Sequence, residues 1–157
     1  MPILYMLCGP SGCGKTTWSK KYAEDHFDED IRYVSRDEIR FHIVKKEEDY
    51  FSHEKEVFKK FVGTIAQTLI DGFDVIADAT HLNQFSRRKL TQALDMYITD
   101  YEIIYVVFNA DVETCIERNQ MRAGRANVPE TVIRNMCRDF RYPSLEEDER
   151  AKGIIEV

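Results

Sequence analysis

A chain of 157 residues, 43% hydrophobic and 32% charged, is long enough to bury one core and reads as a single domain, 1–157. No stretch approaches the roughly 18 apolar residues of a membrane span, and Pro2 runs straight into an apolar segment with no basic, signal-like leader. The net charge of −6 argues against a general nucleic-acid binder, although the charge is segregated, with six of the twelve arginines between residues 118 and 141.

Ile3 to Cys8 is an unbroken apolar run, the pattern of a strand buried on both faces. Gly9-Pro10-Ser11-Gly12-Cys13-Gly14-Lys15-Thr16-Thr17 follows and fits G-x-x-x-x-G-K-[ST] at every defined position. The glycines let successive N–H groups converge on one centre, and the helix N-terminus behind them adds positive character. In such a loop Lys15 reaches the β- and γ-phosphates of a nucleotide and the Thr16 hydroxyl holds Mg²⁺. Lys15 to Phe27 reads as the required helix, with Trp18 and Tyr22 inward.

Ile31 to Ser35 reads as a second strand. Ser35-Arg36-Asp37-Glu38 has the form of a capping box opening a helix to about Lys45, with Asp37 in its first turn. From Phe51 to Ile70 apolar residues recur every three or four positions, a core-facing helix. Phe73 to Asp78 is a strand ending in an acid, followed by Ala79-Thr80-His81-Leu82-Asn83, where Asn83 caps a helix to Met96. Tyr101 to Phe108 is a fourth strand, Asp111 caps the next helix, Pro129 opens another to about Phe140, and Gly153 to Val157 is a short last strand. Alternating strands and helices imply a parallel sheet with both faces covered, a three-layer α/β sandwich of about five strands. Ligands in such sheets bind beyond the strands' carboxyl ends, where the glycine loop, Asp37, Asp78 and Thr80 should converge.

The glycine loop is shared by switch GTPases, motor-type ATPases and small kinases. The N-K-x-D guanine reader is missing, and the third strand ends Asp78-Ala79 where a motor ATPase would place Asp-Glu. A kinase needs a base near the acceptor hydroxyl, cations for the transferred phosphoryl and a cover against water. Asp37 is the candidate base, although an acid favoured by the helix dipole explains its position equally well. Arg118, Arg122 and Arg125 have i, i+4, i+7 spacing, which places them on one face if helical, and Gly124 beside them offers a hinge. Together they read as an arginine-bearing lid over about 118–128. Cys8, Cys13, Cys115 and Cys137 lack zinc spacing and suit cytosolic free thiols, hence a cytoplasmic location.

Gly9–Thr17, Ser35-Arg36-Asp37-Glu38-Ile39-Arg40, Asp78-Ala79-Thr80-His81-Leu82-Asn83, and Arg118-Asn119-Gln120-Met121-Arg122 with Val128-Pro129 together resemble the 5′-kinase domain of the phage-type and bacterial polynucleotide kinases. The resemblance covers the whole chain. It implies a P-loop kinase-type fold, ATP as phosphate donor with Mg²⁺, and the 5′-hydroxyl end of RNA or DNA as acceptor, in nucleic-acid repair. It implies that Asp37 is the general base and that Arg40 contacts an acceptor phosphate. Arg122 would grip the donor phosphates with Arg118 or Arg125 assisting, and Asp78 and Thr80 would shape the acceptor side. Donor contacts fall to Gly9, Ser11, Gly12, Cys13, Gly14, Lys15, Thr16 and Thr17. Arg36, Arg87, Arg88 and the pair Arg134/Arg138 are further candidates for a basic patch, with Arg87, Arg88 and Lys89 also readable as a solvated face. Small kinases acting on nucleosides, nucleotides, sugars or antibiotics share these features, so a small-molecule kinase stands as the alternative, with a non-catalytic nucleotide-binding module as a third.

Overall fold

The computed structural model describes residues 1–26, 30–122, 124 and 127–157. Five strands form one sheet: β1 (Ile3–Cys8), β2 (Ile31–Ser35), β3 (Asp74–Asp78), β4 (Glu102–Val107) and β5 (Ala151–Glu156). All neighbours are parallel and their order is β2-β3-β1-β4-β5. The helices are α1 (Lys15–Asp25), α2 (Arg36–Ile43), α3 (Glu54–Ile70), α4 (Gln84–Leu94), α5 (Val112–Gln120) and α6 (Glu130–Asp139).

The two-residue alternation of a strand divides the core into two layers. Leu4, Met6 and Cys8 of β1 point to one face, where Phe61, Ile65 and Leu69 of α3 and Leu90 and Leu94 of α4 close over them. Tyr5 and Leu7 point to the other, against Cys115 and Ile116 of α5 and Ile133 of α6. There Trp18 of α1 stacks on Tyr22 at 4.7 Å and meets the edge of Phe108 at 6.0 Å. A strand covered on both faces has no place for polar alternation, hence the apolar run of β1.

Several boundaries differ from the sequence expectation for local physical reasons. α3 starts at Glu54, not Phe51. The Arg40 guanidinium lies 4.9 Å and 5.2 Å from the ring centroids of Tyr50 and Phe51, and Asp49 to His53 form turns around it. At the start of α2, Ser35 accepts from the Glu38 N–H at 3.2 Å, one half of the expected capping box. α5 ends at Gln120, so Arg122 lies past the helix rather than on a continuous face with Arg118, and Arg125 lies outside the described residues. Asn119 is buried at this end. Its side-chain NH₂ donates to the Val128 carbonyl at 2.6 Å and its Oδ1 accepts from the Val128 N–H at 3.0 Å, tying the two ends of the expected lid together.

Candidate active site

β1 sits where the chain's direction of sheet growth reverses, with β3 on one side and β4 on the other. Such a switch point opens a crevice at the strands' carboxyl ends. Registration of Ser35 with Asp78 brings the ends of β2 and β3 level, and the Gly9 N–H donates to the Thr80 carbonyl at 2.9 Å, joining the glycine loop to the segment after β3. The result is a cleft of about 660 Å³.

The loop's shape rests on two glycines. Gly12 has φ +82°, and a Cβ there would stand 2.4 Å from the Cys115 carbonyl oxygen. Gly14 caps α1 at φ +99°, and a Cβ there would lie 3.1 Å from the Arg118 guanidinium, which therefore reaches over the loop. Among the described residues, the N–H groups of Gly14, Thr16 and Thr17 meet no backbone carbonyl, and the Lys15 N–H turns to the Cys13 sulfur. The Lys15 ammonium turns back on the loop, donating to the Gly9 and Pro10 carbonyls at 2.9 and 2.8 Å. Unengaged amides at a helix N-terminus with a buried lysine beside them fit the oxygens of a polyphosphate.

Thr16 Oγ1 stands 3.3 Å from the Asp78 carboxylate, which also accepts from the Tyr33 hydroxyl. Burial raises the Asp78 carboxyl above the ordinary range, and the Lys15 charge and the Tyr33 hydrogen bond pull it back. Burial also raises the Tyr33 phenol, with the Asp78 charge adding to it, so Tyr33 stays a donor. Described residues form no cluster of three or more His, Cys, Asp or Glu spaced for a metal. The Thr16 and Asp78 oxygens are hard donors that suit Mg²⁺ sharing its shell with phosphate oxygens and water.

Opposite the loop, Asp37 is about half exposed. Its Oδ1 accepts from Arg40 Nη1 at 2.5 Å and from the Tyr50 hydroxyl at 3.0 Å, leaving Oδ2 without a partner among the described residues. Arg40 is buried and held by both oxygens of Glu54, at 2.8 Å from Nε and 2.7 Å from Nη2. Burial opposes the Arg40 charge, but the bonds to Glu54 and Tyr50 outweigh it and hold the guanidinium above the ordinary arginine pKa. The arginine expected to meet an acceptor phosphate is thus engaged internally, against Glu54 and Asp37.

Of the residues expected from the sequence, Ser11, Gly12, Gly14, Lys15, Thr16, Thr17, Asp37, Arg40, Asp78, Thr80, Arg118 and Arg122 line this one cleft. Gly9 and Cys13 are buried members of the loop, and a Cβ at Gly9 would stand 2.7 Å from the Cys13 sulfur. Three others leave the basic patch. Arg87 is 2% exposed, paired with Glu147 at 2.9 and 2.8 Å and bonded to the His81 and Arg141 carbonyls, because it ties the loop after β3 to the chain near β5. Arg134 pairs with Glu130 and Glu113, and Arg138 with Asp139, outside the cleft lining. Tyr33, Tyr50, Glu54 and His81 were not legible as partners, since their contacts cross between elements with no shared spacing. The cleft wall carries Lys15, Arg36, Arg40, Lys89, Arg118 and Arg122 against the carboxylates Asp37, Glu54 and Asp78. Its charge balance is opposite to that of the whole chain.

Solved structures with the same fold include a component of the Pnkp1/Rnl/Hen1 RNA repair complex, with a TM-score of 0.74 and 22% identity over 88% of this chain. This chain spans 43% of that component's length. Kti12 of Chaetomium thermophilum in complex with ADP-AlF3 has a TM-score of 0.71 at 16% identity, over 99% of this chain and 88% of that one. A sugar kinase from Janibacter sp. has a TM-score of 0.67 at 12% identity, over 99% and 86%. Described residues include no helix long and apolar enough to cross a membrane. A family model described as an AAA domain matches residues 4–143, and the chain belongs to that family, with a P-loop kinase-type α/β fold.

Proposed function

We propose that this protein transfers the γ-phosphoryl group of ATP to a hydroxyl, and that its acceptor is the 5′-hydroxyl end of RNA or DNA. One observation carries the reading: Asp37 has one oxygen fixed by Arg40 and Tyr50 and the other unengaged, in the same cleft as the loop of Lys15 and Thr16. A carboxylate so held is oriented to take a proton from an attacking hydroxyl. ATP with Mg²⁺, when bound, would supply the phosphoryl group and a divalent charge to offset that of the phosphates. The loop amides bind and orient the phosphates, and Lys15 exchanges the Gly9 and Pro10 carbonyls for phosphate oxygens. Thr16 and Asp78 are the side chains that would hold the metal. Arg118 and Arg122 line the same cleft, and their guanidinium forks suit the charge that develops on phosphoryl oxygens.

The RNA repair component among the similar structures supports a nucleic-acid acceptor. A small-molecule acceptor is the second reading, favoured by the engagement of Arg40 with Glu54, which leaves that guanidinium fewer donors for an acceptor phosphate. Labelled ATP and Mg²⁺ offered with a 5′-hydroxyl oligonucleotide, its 5′-phosphorylated form, nucleosides and sugars separates the two. Label on the 5′-hydroxyl oligonucleotide alone is expected. Label on nucleosides or sugars but not on the oligonucleotide would overturn the nucleic-acid reading.

A further inference from the structure

α4 carries an unusual face into the cleft. Phe85, Ser86, Lys89 and Leu90 all line it, yet Phe85 is 78% exposed. Phe85 and Lys89 are four residues apart, so an aromatic ring and a cation are neighbours on one side of the helix. The Lys89 ammonium lies 4.7 Å from the centroid of the Phe58 ring and makes no ion pair among the described residues. Arg36 lies 5.4 Å from the same ring and spends one N–H on Glu54 at 3.3 Å. Its Nε is buried with no hydrogen-bond partner among the described residues. Two cations therefore share one aromatic ring, while the nearby carboxylates, Glu54 and Asp37, are committed to Arg36 and Arg40. Arg88 and Lys89 are both exposed, but only Lys89 lines the cleft and meets an aromatic ring.

An exposed ring beside an uncompensated cation is the pairing that binds a base by stacking and its phosphate by charge. We propose that Phe85 and Lys89 form a subsite for the second nucleotide of a single-stranded nucleic acid whose terminal hydroxyl lies at Asp37, the base stacking on Phe85 and the phosphate meeting Lys89 and Arg36. This rests on the phosphoryl-transfer reading above. A sugar or lone nucleoside has no second base or phosphate to place there, so such a subsite selects for chain length.

The test uses the full chain with labelled ATP and three acceptors: a nucleoside 3′-monophosphate, a dinucleotide and a 5′-hydroxyl hexamer. Phe85→Ala and Lys89→Ala are each expected to raise KM for the dinucleotide and hexamer by about tenfold, the scale of one lost stacking contact. KM for the mononucleotide stays unchanged in Phe85→Ala and rises in Lys89→Ala, because its 3′-phosphate is the one that Lys89 would meet, and kcat stays unchanged in both. Phe85→Tyr, which keeps the ring, restores the wild-type KM, and Lys89→Ala weakens the salt dependence of hexamer binding. An unchanged hexamer KM in Phe85→Ala, or an equal rise for mononucleotide and hexamer in that variant, overturns the subsite. If no nucleotide is phosphorylated, the acceptor reading fails separately. Anisotropy of a fluorescein-labelled hexamer then decides: weaker binding in Phe85→Ala than in wild type supports the subsite, and equal or absent binding in both overturns it.

Discussion

Asp37 and His81 show how a single side chain's state is set by what surrounds it. Asp37 offers Oδ2 to the cleft because Arg40 and Tyr50 already hold Oδ1, and Glu54 in turn holds Arg40. The carboxylate's direction is therefore decided fourteen residues downstream of Arg40, at the start of α3. His81 is buried with φ +41°, a backbone region that few non-glycine residues occupy. Its Nδ1 pairs with the Leu7 carbonyl at 2.7 Å, and since a carbonyl only accepts, Nδ1 carries the proton. Burial depresses its pKa to about 3, and the Leu7 bond opposes this only in part. The folded state thus stays neutral where the unfolded chain takes up a proton, near 6.5. Stability is complete above that value and falls by up to about 1.4 kcal/mol per pH unit as pH drops from 6.5 toward 3. Denaturant midpoints at pH 7 and pH 5 should differ in the wild type, and differ less in His81→Asn, whose amide can still meet Leu7. An equal pH dependence in both would remove His81 as the source.

At the level of elements, the segment after β3 is pinned by an ion pair from which the cleft gains a fixed wall. Arg87 of α4 reaches both oxygens of Glu147, in a 3-10 turn (Leu145–Glu147), and the His81 and Arg141 carbonyls. Both side chains are nearly dry, 2% and 8% exposed. Removing one partner leaves a buried charge uncompensated, which costs about 3–5 kcal/mol. Arg87→Met should lower the free energy of unfolding, read from urea denaturation, by that much, and Arg87→Met with Glu147→Leu should recover most of it. If Arg87→Met unfolds like wild type, the pair does not hold these elements together. None of this was visible in Arg87-Arg88-Lys89, three adjacent cations of which the first is buried and the other two exposed, Lys89 lying over Phe58.

Across the whole molecule, the sheet and loop were legible and the internal wiring was not. β1, its glycine loop and α1 follow from an unbroken apolar run, three glycines and a helix period, all local signals. Asp37 and Asp78 could be assigned to one crevice because strand ends in a parallel sheet share a side. Contacts such as Tyr33 with Asp78, Glu54 with Arg40 and Asn119 with Val128 depend on which elements become neighbours, and no spacing within one segment encodes that. The shared face of Arg118, Arg122 and Arg125 depended on the segment being helical, and α5 stops at Gln120, before Arg122.

The account stands or falls on Asp37 as the group that accepts the hydroxyl proton during phosphoryl transfer. Single-turnover transfer of label from ATP to a 5′-hydroxyl oligonucleotide, measured beside equilibrium ATP binding in wild type and Asp37→Asn, tests this most directly. Loss of transfer by about 10²-fold or more with ATP affinity unchanged is the predicted result. Transfer near the wild-type rate, or loss that only follows weaker ATP binding, would contradict it.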